Sequence, residues 1–281
     1  MYQSDLLAGR VILITGGGTG LGRSMALRFA ELGARVFLCG RREEPLKQTC
    51  SDIRSKGGAA GFATCDVRDF AAVDTMIGVA RRELGEVDTL VNNAAGNFIA
   101  RTEKLSPNAF NAVVGIVLQG TFHCTQALAQ RWIATGKPGT VLNIVTTYAE
   151  TGSGFVVPSA CAKAGVLAMT RSLAVEWARY HIRFNAIAPG PFPTEGAFSR
   201  LMPSKEYEER ARAAIPMKRF GRHAELANLA VYLVSGQSEY VNGECVVIDG
   251  ALWLRGAGEF NDLADLPDAV WETMEAARKR S

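Results

Sequence analysis

A tyrosine, a serine and a lysine stand close together near the middle of the chain, between Ile144 and Gly165. Ser159 and Lys163 are four residues apart, which places both on one face of a helix. Tyr148 lies at what we expect to be the end of an apolar strand before that helix. A tyrosine hydroxyl can act as an acid, and a nearby lysine charge favours its ionised form. These residue types therefore predict acid-assisted chemistry in one cleft.

The sequence around this stretch alternates short apolar runs with helical segments. This alternation predicts an α/β fold with a doubly wound parallel seven-stranded sheet, a Rossmann fold, in a single domain covering residues 1–281. Ligands bind such sheets at the carboxyl ends of the strands. We expect a mobile substrate flap near 192–216 with a short helix in it, and a C-terminal tail at 251–281. The predicted strands are Val11–Thr15, Arg35–Cys39, Ala60–Thr64, Thr89–Asn92, Thr140–Val145, Arg183–Ala188 and Cys245–Ile248.

Composition excludes several classes of function. The chain of 281 residues has a formal charge of +3 from 31 basic and 28 acidic residues, which is too small and too evenly spread for a nucleic-acid-binding surface. Its six cysteines form no CxxC pair and several sit in apolar runs, so we expect reduced, structural thiols and no metal site. The N-terminus lacks a secretory signal and no uninterrupted apolar run approaches bilayer length, which predicts a cytoplasmic enzyme.

A glycine-rich turn follows the first predicted strand. Gly16, Gly20 and Gly22 have the spacing GxxxGxG, with Thr19 and Leu21 between them. Such a turn lets the backbone approach a pyrophosphate, while the helix behind it supplies free N–H groups. Glycine-rich turns also occur for purely structural reasons, but this position between a strand and a helix favours a dinucleotide site.

The end of the second strand indicates which dinucleotide binds. An acid there would bind the ribose of NAD, but this chain has Arg41 and Arg42, which suit the 2′-phosphate of NADP(H). Arg23 is expected to add a third positive charge. Asp66 and Val67, after the third strand, are expected beside the adenine, although Asp66 is equally suited to cap a helix. The alternative for the arginines is a solvated surface pair.

At this point the chain resembles the short-chain dehydrogenase/reductase family. The resemblance covers Leu7 to Gly250 and is carried by Thr15-Gly16 through Gly22, the run Asn92-Asn93-Ala94-Ala95-Gly96, Lys163, and Pro189-Gly190. It implies that Asn93, Ala94, Lys163, Pro189 and Gly190 bind the cofactor. The resemblance also implies a homo-oligomer, specifically a homotetramer.

Two residues depart from the usual family pattern. Most members place the catalytic tyrosine four residues before the lysine, where this chain has Ser159. The asparagine of the usual proton relay is replaced by Gln119, within a long predicted helix from Asn108 to Ala134. Serine is a far weaker acid than tyrosine. The protein is therefore either an inactive member or one whose acid has moved to Tyr148.

A closer resemblance supports the moved acid. The segments 92–98, 105–109, 148–159 and 196–201 are similar to the 2,4-dienoyl-CoA reductases of the family. That resemblance implies that Tyr148 and Asn97 hold the thioester carbonyl, that Lys163 binds the nicotinamide ribose, and that Ser159 lies nearby. In such chemistry hydride enters the far end of the conjugated system, so the site needs an oxyanion clamp remote from the hydride.

The resulting prediction is NADPH-dependent reduction of 2,4-dienoyl-CoA to 3-enoyl-CoA in the breakdown of unsaturated fatty acids. An NADP-linked reductase of 2-enoyl-CoA or carbonyl substrates is one alternative, and a non-catalytic NADP-binding scaffold is another. Basic side chains are expected either to meet the phosphates of the acyl-CoA or to be solvated. They are Arg101, Lys104, Arg200, Lys218 and Arg219.

Overall fold

The computed structural model describes residues 2–194 and 204–279. Seven parallel strands form one sheet in the order β3-β2-β1-β4-β5-β6-β7. The change of direction in strand order falls between β1 and β4, where a doubly wound sheet opens a crevice for ligands. The strands are β1 (Val11–Thr15), β2 (Arg35–Gly40), β3 (Ala60–Thr64), β4 (Thr89–Asn92), β5 (Gly139–Ile144), β6 (Ile182–Pro189) and β7 (Cys245–Ile248).

Helices cover both faces of the sheet. Those of the first half are α1 (Gly20–Glu31), α2 (Glu43–Arg54), α3 (Phe70–Leu84), α4 (Pro107–Val114) and α5 (Gly120–Thr135). Those of the second half are α6 (Tyr148–Thr151), α7 (Val157–Glu176), α8 (Lys205–Ala214), α9 (His223–Val234), α10 (Leu252–Ala257) and α11 (Asp268–Arg278).

The central strands read as unbroken apolar runs because helices cover both of their faces. Every residue of β1, β4 and β5 is buried. One core layer contains Phe29 and Leu38, and the opposite layer contains Phe37 and Trp132. This burial confirms the predicted fold, and each of the seven predicted strands lies within one residue of its observed bounds. The short helix predicted in the flap is α8.

The long predicted helix at Asn108–Ala134 is divided. A π-helical turn at Gly115–Gln119 separates α4 from α5. Gly120 lies against Val67, and a Cβ there would come within 2.4 Å of the valine side chain, so close packing explains this glycine. The whole stretch Pro107–Thr135 is long and apolar enough to cross a bilayer, but 56% of its most apolar window is buried inside the protein. That burial is typical of a core helix.

Two other expectations need correction or restriction. We expected reduced, structural cysteines; all six are free thiols, but Cys161 is exposed on the outer face of α7 and is not part of the core. The predicted substrate flap near 192–216 is described except for residues 195–203, and Arg200 lies outside the described residues. Within the described ranges no cluster of three metal-ligating side chains is present.

Candidate active site

The glycine turn after β1 requires glycine for two reasons. Gly16 and Gly20 have φ angles of +66° and +53°, in the left-handed region where a side chain is disfavoured. Gly22 is tightly packed, since a Cβ there would lie 2.4 Å from the carbonyl oxygen of Gly16. A Cβ on Gly18 would lie 2.9 Å from the backbone of α2. The turn is therefore a bare backbone surface, as a pyrophosphate needs.

Hydrogen bonds from β4 hold this turn in place. Thr15 Oγ1 accepts from the backbone N–H groups of Asn93 and Ala94, at 3.0 and 2.9 Å. Asn93 Nδ2 donates to the carbonyl oxygens of Thr15 and Gly16, at 3.0 and 3.2 Å. Asn93 thus orders the turn from behind. We had not predicted a role for the Thr15 hydroxyl, although its position at the end of a buried apolar strand was a signal for it.

The helix behind the turn offers unsatisfied donors. Thr19 is the N-cap of α1, yet its side chain makes no capping hydrogen bond, and the first turn contains no acid. The first N–H groups of α1 and the positive end of its dipole are therefore available to an anion. Leu21 packs its side chain against the core.

A cleft of about 350 Å³ extends from the turn toward β2 and β3. Within the described chain neither Arg41 nor Arg42 is in an ion pair. Asp66 is neutralised by Arg68 at 2.5 Å, and this hydrogen bond lowers the pKa of the carboxyl group. The cleft therefore presents two uncompensated guanidinium groups and fits a 2′-phosphate. Its lining comprises Gly16, Gly18, Thr19, Gly40, Arg41, Arg42, Pro45, Leu46, Cys65, Asp66, Val67, Ala94, Ala95 and Ile116.

Arg23 does not supply the third charge that we expected. Its guanidinium pairs with Asp52 on α2 at 2.6 Å, and it does not line the cleft. Among residues that the sequence did not point to, Ile116 closes the cleft from the π-helical turn, and Cys65 contributes a buried wall.

Tyr148 is not at a strand end as predicted. β5 ends at Ile144, and Tyr148 begins the one-turn helix α6. This turn closes with a hydrogen bond from the N–H of Gly152 to the carbonyl of Tyr148, at 3.0 Å. An ion pair of 2.6 Å between Glu150 and Arg171 fastens α6 to α7. Tyr148 is therefore carried by a short helix that is tied to a long one.

Three polar side chains converge in front of α7. Asn97 Nδ2 donates to the hydroxyl oxygen of Tyr148 at 3.3 Å. The hydroxyl groups of Tyr148 and Ser159 are 3.2 Å apart, and Ser159 is buried in the first turn of α7. Asn97 Oδ1 accepts from the N–H of Phe98, which orients the amide donors. We call Asn97, Tyr148 and Ser159 the donor cluster.

Lys163 lies one turn further along α7 and is buried, with 8% of its surface exposed. Its Nζ donates to the carbonyl oxygen of Ile144 at the end of β5. Burial lowers the pKa of this amine from 10.5 to about 8. The ammonium group is thus held at the edge where the carboxyl ends of the central strands meet.

Two predicted cofactor residues lie at the end of β6. The N–H of Gly190, after Pro189, donates to the carbonyl of Ile248 at 3.0 Å, and a Cβ on this glycine would lie 2.4 Å from the side chain of Asp249. Pro189 and Gly190 therefore form a tight turn against β7 at the same edge, outside the arginine-lined cleft. Gln119 is exposed at the end of the π-helical turn and does not join the donor cluster.

Comparison with known proteins identifies the family of this chain. A family model described as enoyl-(acyl carrier protein) reductase matches residues 16–252. The chain belongs to the short-chain dehydrogenase/reductase family. It is 45% identical to a probable (2E)-enoyl-CoA-producing 2,4-dienoyl-CoA reductase of Bacillus subtilis, covering 88% of this chain and 97% of that protein. It is 42% identical to a probable (3E)-enoyl-CoA-producing one of Caenorhabditis elegans, covering 98% and 91%.

Solved structures are also similar to this chain. A short-chain dehydrogenase from Bacillus anthracis is 44% identical, with a TM-score of 0.80 over 86% of this chain and 96% of that one. A putative 2-deoxy-D-gluconate 3-dehydrogenase from Agrobacterium tumefaciens with bound NADP is 33% identical, with a TM-score of 0.82 over 90% of this chain and 100% of that one. Our protein is an NADP-dependent oxidoreductase of this family, consistent with its arginine-lined cleft.

The basic residues considered for CoA fall into two groups. Lys218 pairs with Asp265 at 3.0 Å and Arg219 pairs with Glu225 at 2.7 Å, so both charges are already compensated. Arg101 and Lys104 are exposed and make no ion pair within the described ranges.

Proposed function

We propose that the protein uses NADPH to reduce 2,4-dienoyl-CoA thioesters to 3-enoyl-CoA, in the breakdown of unsaturated fatty acids. The observation that carries this proposal is the donor cluster of Asn97, Tyr148 and Ser159. Its phenol is displaced from the usual family position, which here is occupied by Ser159. The relatives named as 2,4-dienoyl-CoA reductases support the same substrate class.

NADPH, when bound, supplies a hydride equivalent to the substrate. In a dienoyl thioester, a hydride added at C5 moves negative charge through the conjugated system to the thioester oxygen. The protein must therefore stabilise an oxyanion several bonds away from the reacting carbon. We assign this task to the Tyr148 hydroxyl and to the second N–H of the Asn97 amide, since its first N–H is directed to the phenol oxygen.

The role of Ser159 follows from its contact with the phenol. Its hydroxyl, 3.2 Å from the Tyr148 oxygen, can donate to that oxygen and leave the phenol proton directed at the substrate. A serine in this place supports the phenol but is too weak an acid to replace it. Lys163 is assigned to the nicotinamide ribose, to which its ammonium group would donate hydrogen bonds.

The position of the new proton decides the product. Protonation of the dienolate at C2 breaks the C1–C2 enolate double bond and leaves the double bond at C3, which gives 3-enoyl-CoA. Protonation at C4 would give 2-enoyl-CoA instead. We assign the C2 proton to water, because none of the three side chains in the donor cluster is a carboxylic acid that could protonate a carbon atom. The two named relatives are described with different products, so this step requires direct measurement.

The experiment follows NADPH consumption with 2,4-hexadienoyl-CoA, crotonyl-CoA and a β-keto ester, and determines the double-bond position of the product by NMR. We expect turnover of the dienoyl-CoA and a 3-enoyl product. Turnover of the keto ester alone would show a carbonyl reductase. Tight NADPH binding without turnover of any acyl-CoA would show a non-catalytic scaffold.

The CoA moiety, the assembly and the location belong to the same proposal. Arg101 and Lys104 are the described basic residues best suited to CoA phosphates, because their charges are uncompensated.

We expect a homotetramer, measured by light scattering of the purified protein. We expect a cytoplasmic protein, measured by fractionation of cells that express it.

A further inference from the structure

His223 joins three parts of the chain that meet at the glycine turn. It begins α9, and its ring is half-buried. Nδ1 lies 2.7 Å from the hydroxyl oxygen of Ser24 in α1, and Nε2 lies 2.6 Å from the carbonyl oxygen of Pro193. Ser24 follows Gly22 by two residues, and Pro193 lies in the segment after β6. One imidazole therefore connects the helix behind the turn to the segment that passes over it.

The segment Pro191–Thr194 is attached to residues 221–223 at successive positions. The N–H of Gly221 donates to the carbonyl of Pro191 at 3.1 Å. The ring of Phe192 packs so closely on Gly221 that a Cβ there would lie 2.3 Å from it. His223 makes the third attachment. Beyond it, the methyl group of Thr194 lies 3.3 Å from where a Cβ on Gly20 would be.

The hydrogen-bond chemistry of the bridge is defined by its partners. A carbonyl oxygen can only accept, so Nε2 must carry a hydrogen and donate to Pro193. The hydroxyl of Ser24 either donates to Nδ1 or accepts from it, and in the second case its own hydrogen remains directed at the Gly20 carbonyl, 3.1 Å away. The bridge is thus formed in both charge states of the ring.

We propose that His223 is a positioning residue for NADP(H). By holding Pro191–Thr194 over Gly20, it orders the backbone on the open side of the pyrophosphate site before the cofactor arrives. The other end of the cofactor site, at Arg41 and Arg42, has no connection to this bridge among the described residues. The inference concerns cofactor binding, and so it does not depend on which thioester the enzyme reduces.

The test measures the Kd of NADPH and of adenosine 2′,5′-bisphosphate by fluorescence titration, without substrate. In His223→Leu we expect NADPH to bind about fivefold to tenfold more weakly, as for the loss of a hydrogen bond that orders a site. The bisphosphate, anchored by the arginines, should change by less than about twofold. His223→Gln keeps one donor and one acceptor, and should restore NADPH affinity to within about twofold of the wild type.

Two further variants separate positioning from general damage. Ser24→Ala removes one side of the bridge and leaves the Pro193 contact, so we expect an intermediate loss of NADPH affinity. His181→Asn is the control, because it removes an imidazole at a left-handed position that asparagine tolerates. Equal losses for NADPH and the bisphosphate, or unchanged NADPH affinity in His223→Leu, would overturn the proposal. Failure of His223→Gln to restore binding would also overturn it.

Discussion

The two halves of the ligand edge are built differently. Around β1 and β2 the site is mostly backbone, where glycines such as Gly16 and Gly22 have no room for a side chain. Around β4 and β5 the site consists of side chains on the segments that follow these strands, namely Asn97, Tyr148 and Ser159. A binding site made of backbone groups requires one particular backbone conformation. A site made of side chains requires only that their hydrogen-bond donors reach the same position, from whichever part of the chain. This difference explains how the phenol can occupy a new sequence position while the nucleotide half keeps its glycines.

The largest expected effect lies in the side-chain half. Tyr148→Phe removes one oxyanion donor, which typically costs about 2.7–4 kcal/mol in the barrier, so kcat should fall about 10²–10³-fold. The Kd of NADPH should stay unchanged, because the phenol is not part of the nucleotide cleft. Steady-state kinetics and fluorescence titration measure the two quantities. Tyr240→Phe, at a fully exposed tyrosine, is the matched control. A parallel loss of NADPH affinity would contradict the separation of the halves.

The next effect lies in the backbone half, at the side chains that select the nucleotide. Replacing both Arg41 and Arg42 with alanine removes hydrogen bonds to a charged group, so NADPH should bind about 10–100-fold more weakly. NADH lacks the 2′-phosphate, and its affinity should change little. Titration with both cofactors gives the ratio. Arg23→Ala serves as the control, because its charge is already paired with Asp52. An equal loss for NADH would argue against a 2′-phosphate site.

Lys163 connects the halves, and its burial makes stability depend on pH. The pKa is about 8 in the folded protein and 10.5 ordinarily, so between these values the unfolded chain binds more protons. The buried ammonium group of Lys163 lowers the free energy of unfolding. This destabilisation is fully present below pH 8 and is relieved as the pH rises toward 10.5. Relative to Lys163→Met, the free energy of unfolding of the wild type without cofactor should therefore rise by at most about 1 kcal/mol per pH unit in this window. Urea unfolding at several pH values measures it, and a parallel pair of curves would contradict it.

The smallest effect is expected at Ser159. Ser159→Ala removes one neutral hydrogen bond to the phenol, worth about 1 kcal/mol, so kcat should fall about fivefold. The same assay as for Tyr148→Phe measures it. If Ser159→Ala were the more damaging of the two, the acid would not have moved.

The sequence predicts the strands well because buried parallel strands are continuous apolar runs. It also identifies the members of the donor cluster, through the family resemblance. The prediction that Tyr148 ends a strand was wrong. Tyr148 begins a one-turn helix, and such a helix is stabilised by its surroundings, here the ion pair of Glu150 with Arg171, rather than by its own four residues. The ion pairs of Arg23 and Lys218 were not predictable either, since their acidic partners are 29 and 47 residues away in the chain.

The π-helical turn at Gly115–Gln119 determines how many residues connect α4 to α5. A π turn holds one more residue than an α-helical turn, and each residue of an α-helix rotates the chain by about 100°. Deleting a single residue here would convert the π turn into an α-helical turn and leave α5 in nearly its present orientation, because the π turn holds the extra residue over about the same rotation. A deletion elsewhere in α5 would instead rotate the residues after it by about 100°, so a one-residue difference in length from a relative with an unbroken helix must be placed within Gly115–Gln119.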